Sequence, residues 1–148
     1  MSSATIDHSA ALAAVVAFYA SLSEAALPRL AAIYAADAVF KDPFNEVRGI
    51  AAITAIFRHM YEQVDAPRFV VSTRVLQGSE AFLIWEFHFR MRRFSGAGQV
   101  IRGATHLRFD DQGLVCLHRD YWDAAEELYE KLPLLGGLMR WLKRRAAS

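Results

Sequence analysis

Three polar side chains of this sequence could carry acid–base chemistry. Asp42 follows a short apolar run, and His118 and Asp120 alternate with other residues in the stretch 114–123. Because side chains alternate between the two faces of a strand, Cys116, His118, Asp120 and Trp122 share one face if this stretch is a strand. An apolar core would have to satisfy every polar atom of that set, whereas a pocket uses such atoms to orient a ligand. The pattern therefore predicts a ligand pocket.

Asp42 has two interpretations. Burial beside an apolar strand would raise the pKa of its carboxyl group into a range that suits a catalytic base. Alternatively, Asp42 caps a turn and accepts hydrogen bonds from the backbone of the loop that follows Pro43.

His118 and Asp120 could form a His–carboxylate pair that moves protons on an enolisable carbon or activates a water. The alternative is a satisfied structural pair with Arg119 or Arg108 nearby, and Asp123 is a competing carboxylate. One His and two Asp do not have a spacing typical of a metal site, so no metal is expected. No nucleotide, phosphate-loop or flavin signature is present, so no cofactor is expected.

Composition limits the class of protein. The chain has 148 residues, 54% of them apolar and 12% aromatic, which is enough for one domain over 1–148 with a sizeable core. A net charge of +1 argues against a nucleic-acid partner. The single cysteine, Cys116, excludes an internal disulfide and is expected to be a small buried hydrophobe. Without a signal-peptide pattern or an apolar run approaching about 18 residues, a cytoplasmic location is expected.

Hydrophobic periodicity and turn signals place the elements that must position these residues. Helices are predicted over Ser9–Ser23, Leu27–Ala35 and Ile50–Gln63. Strands are predicted over Ala38–Asp42, Phe69–Leu76, Ala81–Phe94, Val100–Phe109 and Leu114–Asp123. Short connections between the last four strands indicate an antiparallel meander. Helices first and a sheet afterwards is an α+β order, and the sheet should curl around the helices.

Alternation on two strands predicts which side chains face the helices. The inward set is Leu83, Trp85, Phe87 and Phe89 with Thr105, Leu107 and Phe109. The outward set is Ile84, Glu86, His88 and Arg90 with Ala104, His106 and Arg108. The outward set is mixed in charge and could face solvent or a partner's sheet, so His88 and His106 are expected at a surface or interface.

The motif Phe-Lys-Asp-Pro at 40–43 precedes Gly49, has a helix on each side and is followed by a meander that ends in Tyr-Trp-Asp at 121–123. This arrangement resembles the NTF2-like superfamily, which includes ketosteroid isomerases, SnoaL-type polyketide cyclases and limonene-epoxide hydrolase. The resemblance covers residues 9–123. It implies a cone-like α+β fold, with a strongly curved antiparallel sheet around N-terminal helices, a ligand in the mouth of the cone, and a homodimer.

The resemblance also assigns roles. Asp42 falls where ketosteroid isomerases keep their general base, and Thr105 falls where they keep a protonated oxyanion-hole Asp. Phe18 falls at the position of their oxyanion tyrosine, and Tyr19 falls beside it. Because each such donor is worth about 3–4 kcal/mol and neither is matched, steroid isomerisation of that type is not expected. Asp120 is similar in position to the acid/base carboxylate of the cyclases and epoxide hydrolases.

Two functions follow. In the first, the chain is a cofactor-independent isomerase, cyclase or hydrolase, in which Asp42 or Asp120 moves a proton and His118 orients or donates one. A small hydrophobic molecule would then lie against Phe18, Tyr19, Trp85, Phe87, Phe89, Thr105, Leu107 and Trp122. In the second, the chain is a non-catalytic binding or assembly module.

The stretch 124–146 is predicted to be a C-terminal helical extension. It carries an apolar stripe, with acidic residues early and Arg140, Lys143, Arg144 and Arg145 late, which suits the helix dipole. It could pack over the domain or across a dimer, cover the pocket as a lid, or lie on a membrane surface with Trp141 at the lipid interface. It is the only part of the chain for which membrane contact is expected.

Overall fold

The computed structural model describes residues 6–92, 98–127 and 141–147. The helices are α1 (Ser9–Ala20), α2 (Leu30–Ile33), α3 (Ile50–Gln63) and α4 (Ala124–Glu127), with a 3-10 turn over Glu24–Arg29. The strands are β1 (Tyr34–Lys41), β2 (Glu46–Arg48), β3 (Val64–Gln77), β4 (Glu80–Met91), β5 (Gly98–Phe109) and β6 (Val115–Tyr121).

The six strands form one curved, unclosed sheet in the order β2-β1-β6-β5-β4-β3. Strands β3 to β6 are the predicted antiparallel meander. Strand β1 pairs with β6 in parallel, so that Phe40 lies beside His118. Because the two strands run in the same direction, the loop at Asp42, which follows β1, lies at the same end of the sheet as Asp120 on β6.

The core lies between the helices and the concave face of the sheet. Helix α1 buries Leu12, Val15 and Phe18, and α3 buries Ile53 and Phe57. The predicted inward sets on β4 and β5 are all buried, at 9% exposure or less, and Ile84 on the outward set is 52% exposed. The alternation of side chains predicted the buried face of both strands correctly, because each strand has one buried and one exposed face.

The predicted helix over Leu27–Ala35 is wrong at its end. The helix stops at Ile33, and Tyr34 is the first residue of β1. The alanines of this stretch favour a helix locally, but pairing of Tyr34 with Val115 on β6 decides the structure. The predicted loop after Pro43 also contains the short strand β2, which pairs with β1.

Strand β6 contains a bulge that alternation did not predict. Phe109 pairs with Val115 and Arg108 with Leu117, so Cys116 is the extra residue. Val115 is therefore buried on the same side as His118, and Cys116 is only partly buried, so the prediction that Cys116 is buried on the face of His118 is wrong. Its thiol donates a hydrogen bond to the carbonyl oxygen of Arg108 at 3.3 Å, and burial raises its pKa.

The predicted C-terminal extension lies partly outside the described residues. Within it, α4 and a helical turn over 141–146 are described, and Trp141 is 45% exposed. No helix in the described ranges is long and apolar enough to cross a membrane. The single domain over 1–148 and the cytoplasmic location stay predictions.

Candidate functional site

A cavity of about 750 Å³ lies between α3 and the concave face of the sheet. Aromatic side chains line its sheet side: Phe40, Phe69, Trp85, Phe87 and Phe89. Small and aliphatic side chains of α3 line the opposite side: Ala52, Ala55, Ile56 and Met60. Apolar walls of this kind suit a hydrophobic molecule.

Most of the predicted site residues meet in this cavity. Its lining includes Asp42, His118 and Asp120 together with Tyr19, Trp85, Phe87, Phe89, Thr105 and Trp122. Phe18 and Leu107 do not line it, because both lie in the core at 1% and 0% exposure. Phe18 precedes Tyr19 on α1 and therefore points about 100° away from it around the helix.

His118 and Asp120 form the predicted pair. The distance from Nε2 of His118 to Oδ1 of Asp120 is 2.7 Å, and their side chains are 4% and 18% exposed. Neither arginine that sequence analysis considered as a partner contacts Asp120. Arg108 binds Glu80, and Arg119 lies over the ring of Tyr121. Within the described part of the chain, His118 is therefore the only basic side chain paired with Asp120.

A second hydrogen-bond chain reaches the same carboxylate oxygen from the sheet. The indole N–H of Trp85 donates to Oγ1 of Thr105 at 2.7 Å, and Thr105 donates to Oδ1 of Asp120 at 2.6 Å. The direction follows from chemistry, because an indole nitrogen can only donate and a carboxylate can only accept. Thr105 lies directly opposite Asp120 in the β5–β6 ladder.

Two buried tyrosines continue the first chain into the core. The hydroxyl of Tyr34 lies 2.7 Å from Nδ1 of His118, and it is also hydrogen-bonded to the hydroxyl of Tyr19. Burial raises the pKa of both phenols well above the ordinary value, and the negative charge of Asp120 raises it further. Both tyrosines therefore stay protonated and can donate hydrogen bonds.

Asp42 has the capping role that sequence analysis gave as its alternative. Its Oδ1 accepts hydrogen bonds from the backbone N–H groups of Phe44 at 2.8 Å and Asn45 at 2.7 Å. The side-chain amide of Asn45 also donates to both carboxylate oxygens. Asp123, the competing carboxylate, accepts from the backbone of α4 and does not line the cavity.

Sequence reasoning missed Tyr34 and Gly103. Tyr34 was counted with a helix, although its place just before the apolar run at 38–40 was compatible with a strand. Gly103 lies opposite Trp85 and leaves room for its indole. In the described residues, no three His, Cys, Asp or Glu side chains come together as a metal site.

Comparisons with known proteins agree with this fold. The family model described as a SnoaL-like domain matches residues 15–118. No curated protein matches the chain. Among solved structures, an epoxide hydrolase of M. tuberculosis, described as LEH-like, is 19% identical with a TM-score of 0.67, and the match covers 90% of this chain and 91% of that one.

Two similar structures contain small molecules. TerC co-crystallised with polyporic acid is 16% identical with a TM-score of 0.70, and the match covers 80% of this chain and 95% of that one. A protein with a ketosteroid isomerase-like fold from Catenulispora acidiphila, in complex with trimethylamine, is 16% identical with a TM-score of 0.67. The match covers 80% of this chain and 88% of that one. Identities this low show the fold alone. The family match, which spans most of the chain, shows that the protein belongs to the SnoaL-like domain family and has the NTF2-like α+β cone fold.

Proposed function

We propose that the protein binds a small hydrophobic molecule in the cone cavity and that Asp120 acts on it as a general base. One observation carries this proposal. Two hydrogen-bond chains meet at Oδ1 of Asp120, and Oδ2 has no hydrogen-bond partner among the described residues. A carboxylate held at one oxygen beside an apolar cavity is suited to take a proton with the other.

The chemistry that fits best is proton transfer at carbon. Asp120 would take a proton from a carbon next to a carbonyl group and return it to another atom of the same molecule, so that an isomerisation or cyclisation needs no cofactor. Because neither oxyanion donor of the ketosteroid isomerases is matched, the substrate must stabilise its own enolate. A 1,3-dicarbonyl compound with an apolar body meets that requirement.

Hydrolysis is less well supported. It would need a group to activate water and a second acid to protonate the leaving oxygen. Among the described residues, Asp42 is the other carboxylate that lines the cavity, and its oxygens accept hydrogen bonds from the backbone and side chain of its own loop. That engagement argues against a second acid at this site.

Similar proteins support a small-molecule ligand. TerC was co-crystallised with polyporic acid, and the Catenulispora acidiphila protein was solved in complex with trimethylamine. A binding module without chemistry would use the same cavity, so the two functions differ in what Asp120 does. The presence of an apolar cavity already favours a ligand over a purely structural module.

The experiment that separates an enzyme from a binding module is hydrogen–deuterium exchange at carbon. A panel of apolar ketones and 1,3-dicarbonyl compounds is incubated with the protein in D₂O, and loss of each carbon-bound proton is followed by NMR. Calorimetry on the same compounds reports binding. Wild type should exchange a bound compound faster than buffer does, and Asp120→Asn should lose about 100-fold or more of that rate, the usual contribution of a general base.

The matched control is Glu80→Gln. It removes the same charge from a residue on the outer face that does not line the cavity, and it should leave exchange unchanged. If a compound binds to wild type without exchange, or if Asp120→Asn exchanges it as fast as wild type, the base role is wrong and the binding module is favoured.

We also propose that the outer face of the sheet binds a second copy of the chain. Two neighbouring cross-strand rows, Val75–Phe82–His106 and Thr73–Ile84–Ala104–Tyr121, place large apolar side chains together. Their apolar members are well exposed: Val75 56%, Phe82 51%, Ile84 52% and Tyr121 48%. Charged pairs such as Glu80–Arg108 and Glu86–Arg102 border the patch. A patch with both signs of charge at its rim can pair with its own copy across a two-fold axis.

A further inference from the structure

We infer that Phe44 and Trp122 form a wall beside Asp120, and that this wall restricts the substrate to compounds that are small on one side of the reacting carbon. The substrate would carry a short alkyl group on that side and its apolar body on the other. The inference rests on the proposed function for the identity of the reacting carbon, whereas the wall itself is tested by binding alone.

Asp120 divides the cavity unequally. Its strand, β6, is third in the sheet order, and the apolar lining continues across β5 and β4 to Phe69 and Val71 on β3. At about 4.8 Å per strand spacing, the ligand has about 14 Å of wall on that side. On the other side β1 is about 5 Å away by the same spacing, and the lining ends at Val47 on the edge strand β2. The long side therefore suits the apolar body, and the short side suits a small group.

Phe44 and Trp122 close the short side. Both line the cavity, and their rings meet edge to face at a centroid distance of 5.5 Å. Phe44 is also 52% exposed, so its ring has the ligand space on one side and solvent on the other. A ring in this position is the boundary of the cavity and not part of the core.

The backbone holds both rings in place. Asp42 accepts hydrogen bonds from the backbone N–H groups of Phe44 and Asn45, and its own N–H donates to the carbonyl oxygen of Asn45 at 2.9 Å. Trp122 lies against β5, where a β-carbon built on Gly103 would be 3.1 Å from Cβ of Trp122. The capping role of Asp42 therefore supports the wall.

There is space behind the wall. A second depression of about 620 Å³ lies between the ends of β1 and β6, and it shares Asp42, Asp120 and Trp122 with the main cavity. Phe44 lines the main cavity and not the depression. Truncation of the Phe44 ring should therefore let a larger ligand extend past Asp120.

The test compares the binding of benzoylacetone and dibenzoylmethane by calorimetry. Both are apolar 1,3-dicarbonyl compounds, and they differ only in whether the second carbonyl carbon carries a methyl or a phenyl group. Without a wall, the extra phenyl group would favour dibenzoylmethane, because it buries more apolar area. Tighter binding of the smaller compound is therefore evidence of exclusion.

Wild type should bind benzoylacetone more tightly than dibenzoylmethane by about tenfold or more, which is within the discrimination that a pocket achieves by shape. Phe44→Ala should bind dibenzoylmethane about tenfold more tightly than wild type does, and its affinity for benzoylacetone should change by less than about threefold. Phe44→Leu keeps a branched apolar side chain and should show an intermediate preference.

The matched control is Phe82→Ala. Phe82 is 51% exposed, close to the value for Phe44, but it lies on the outer face of the sheet and does not line the cavity. This variant removes the same ring and should leave both affinities unchanged.

Each outcome decides the inference. A wild-type protein that binds neither compound, or binds dibenzoylmethane as tightly as benzoylacetone, overturns it. A Phe44→Ala variant that keeps the wild-type preference overturns it as well. If Phe44→Ala fails to fold, Phe44→Leu decides in the same way.

The proposed function is tested separately on the same samples. Deuterium exchange at the carbon between the two carbonyl groups reports the base, whereas the ratio of the two affinities reports the wall. A preference that depends on Phe44, without exchange of the bound compound, supports the wall and rejects the base role of Asp120.

Discussion

Gly103 and Trp85 face each other on neighbouring strands, and a β-carbon built on Gly103 would lie 2.6 Å from two carbons of the Trp85 indole. The same β-carbon would lie 3.1 Å from Cβ of Trp122. The indole can therefore lie flat against β5, where its N–H reaches Thr105, only because residue 103 has no side chain. A glycine thus supports the hydrogen-bond chain that ends at Asp120.

Gly103→Ala should destabilise the protein and loosen the site. The indole must move away, which we expect to cost about 1–3 kcal/mol of unfolding free energy and to break the bond from Trp85 to Thr105. Urea unfolding followed by tryptophan fluorescence measures both effects. Gly98→Ala is the control, because a β-carbon there meets nothing within 4 Å. If the two variants are equally stable and have equal emission spectra, the supporting role of Gly103 is wrong.

Asp42 and Asp120 should respond differently to substitution. Asp42→Asn keeps an acceptor for the backbone N–H groups of Phe44 and Asn45, so it should fold normally and lower the exchange rate of a bound compound by less than about tenfold. Asp42→Ala removes the acceptor and should lower the unfolding free energy by about 1.5–3 kcal/mol, the usual range for hydrogen bonds to a charged group. A loss of activity in Asp42→Asn as large as in Asp120→Asn would make Asp42 the base.

Sequence reasoning predicted the meander, the inward faces of β4 and β5, and the meeting of Asp42, His118 and Asp120. The meander and the inward faces follow from alternation and turn signals, which are local, whereas the place of Asp42 in the site was implied by the resemblance to the NTF2-like superfamily. Tyr34 and the bulge at Cys116 depend on pairing between β1 and β6 and between β5 and β6, which joins residues far apart in the chain. Local propensity cannot reveal such pairing, so the buried support of His118 was visible only in the structure.

Alkaline pH should destabilise the protein through its two buried tyrosines. Burial raises the pKa of Tyr19 and Tyr34 above the ordinary value of 10.0, so above that pH the unfolded chain loses protons that the folded protein keeps. Stability from these groups is complete below about pH 10 and falls above it by up to about 1.4 kcal/mol per pH unit for each tyrosine. Denaturant unfolding at pH 8 and pH 10.5 should show this fall, and Tyr34→Phe should show a smaller one. An equal fall in wild type and in Tyr34→Phe would show that Tyr34 does not contribute to the loss of stability at alkaline pH.

The outer face of the sheet should determine the oligomeric state. Ile84 lies near the middle of the exposed apolar rows between Phe82 and Tyr121, so a charge there would be buried without a partner in a sheet-to-sheet dimer. We expect sedimentation to show a dimer for wild type at micromolar concentration and a monomer for Ile84→Asp. Ala14→Asp adds the same charge to an exposed position on α1 and should remain a dimer.

The cavity lies on the other face of the sheet, so the monomeric variant should still bind the compounds that wild type binds. A wild-type protein that is monomeric at 100 micromolar would exclude this face as a dimer interface, and a dimeric Ile84→Asp would place the interface elsewhere.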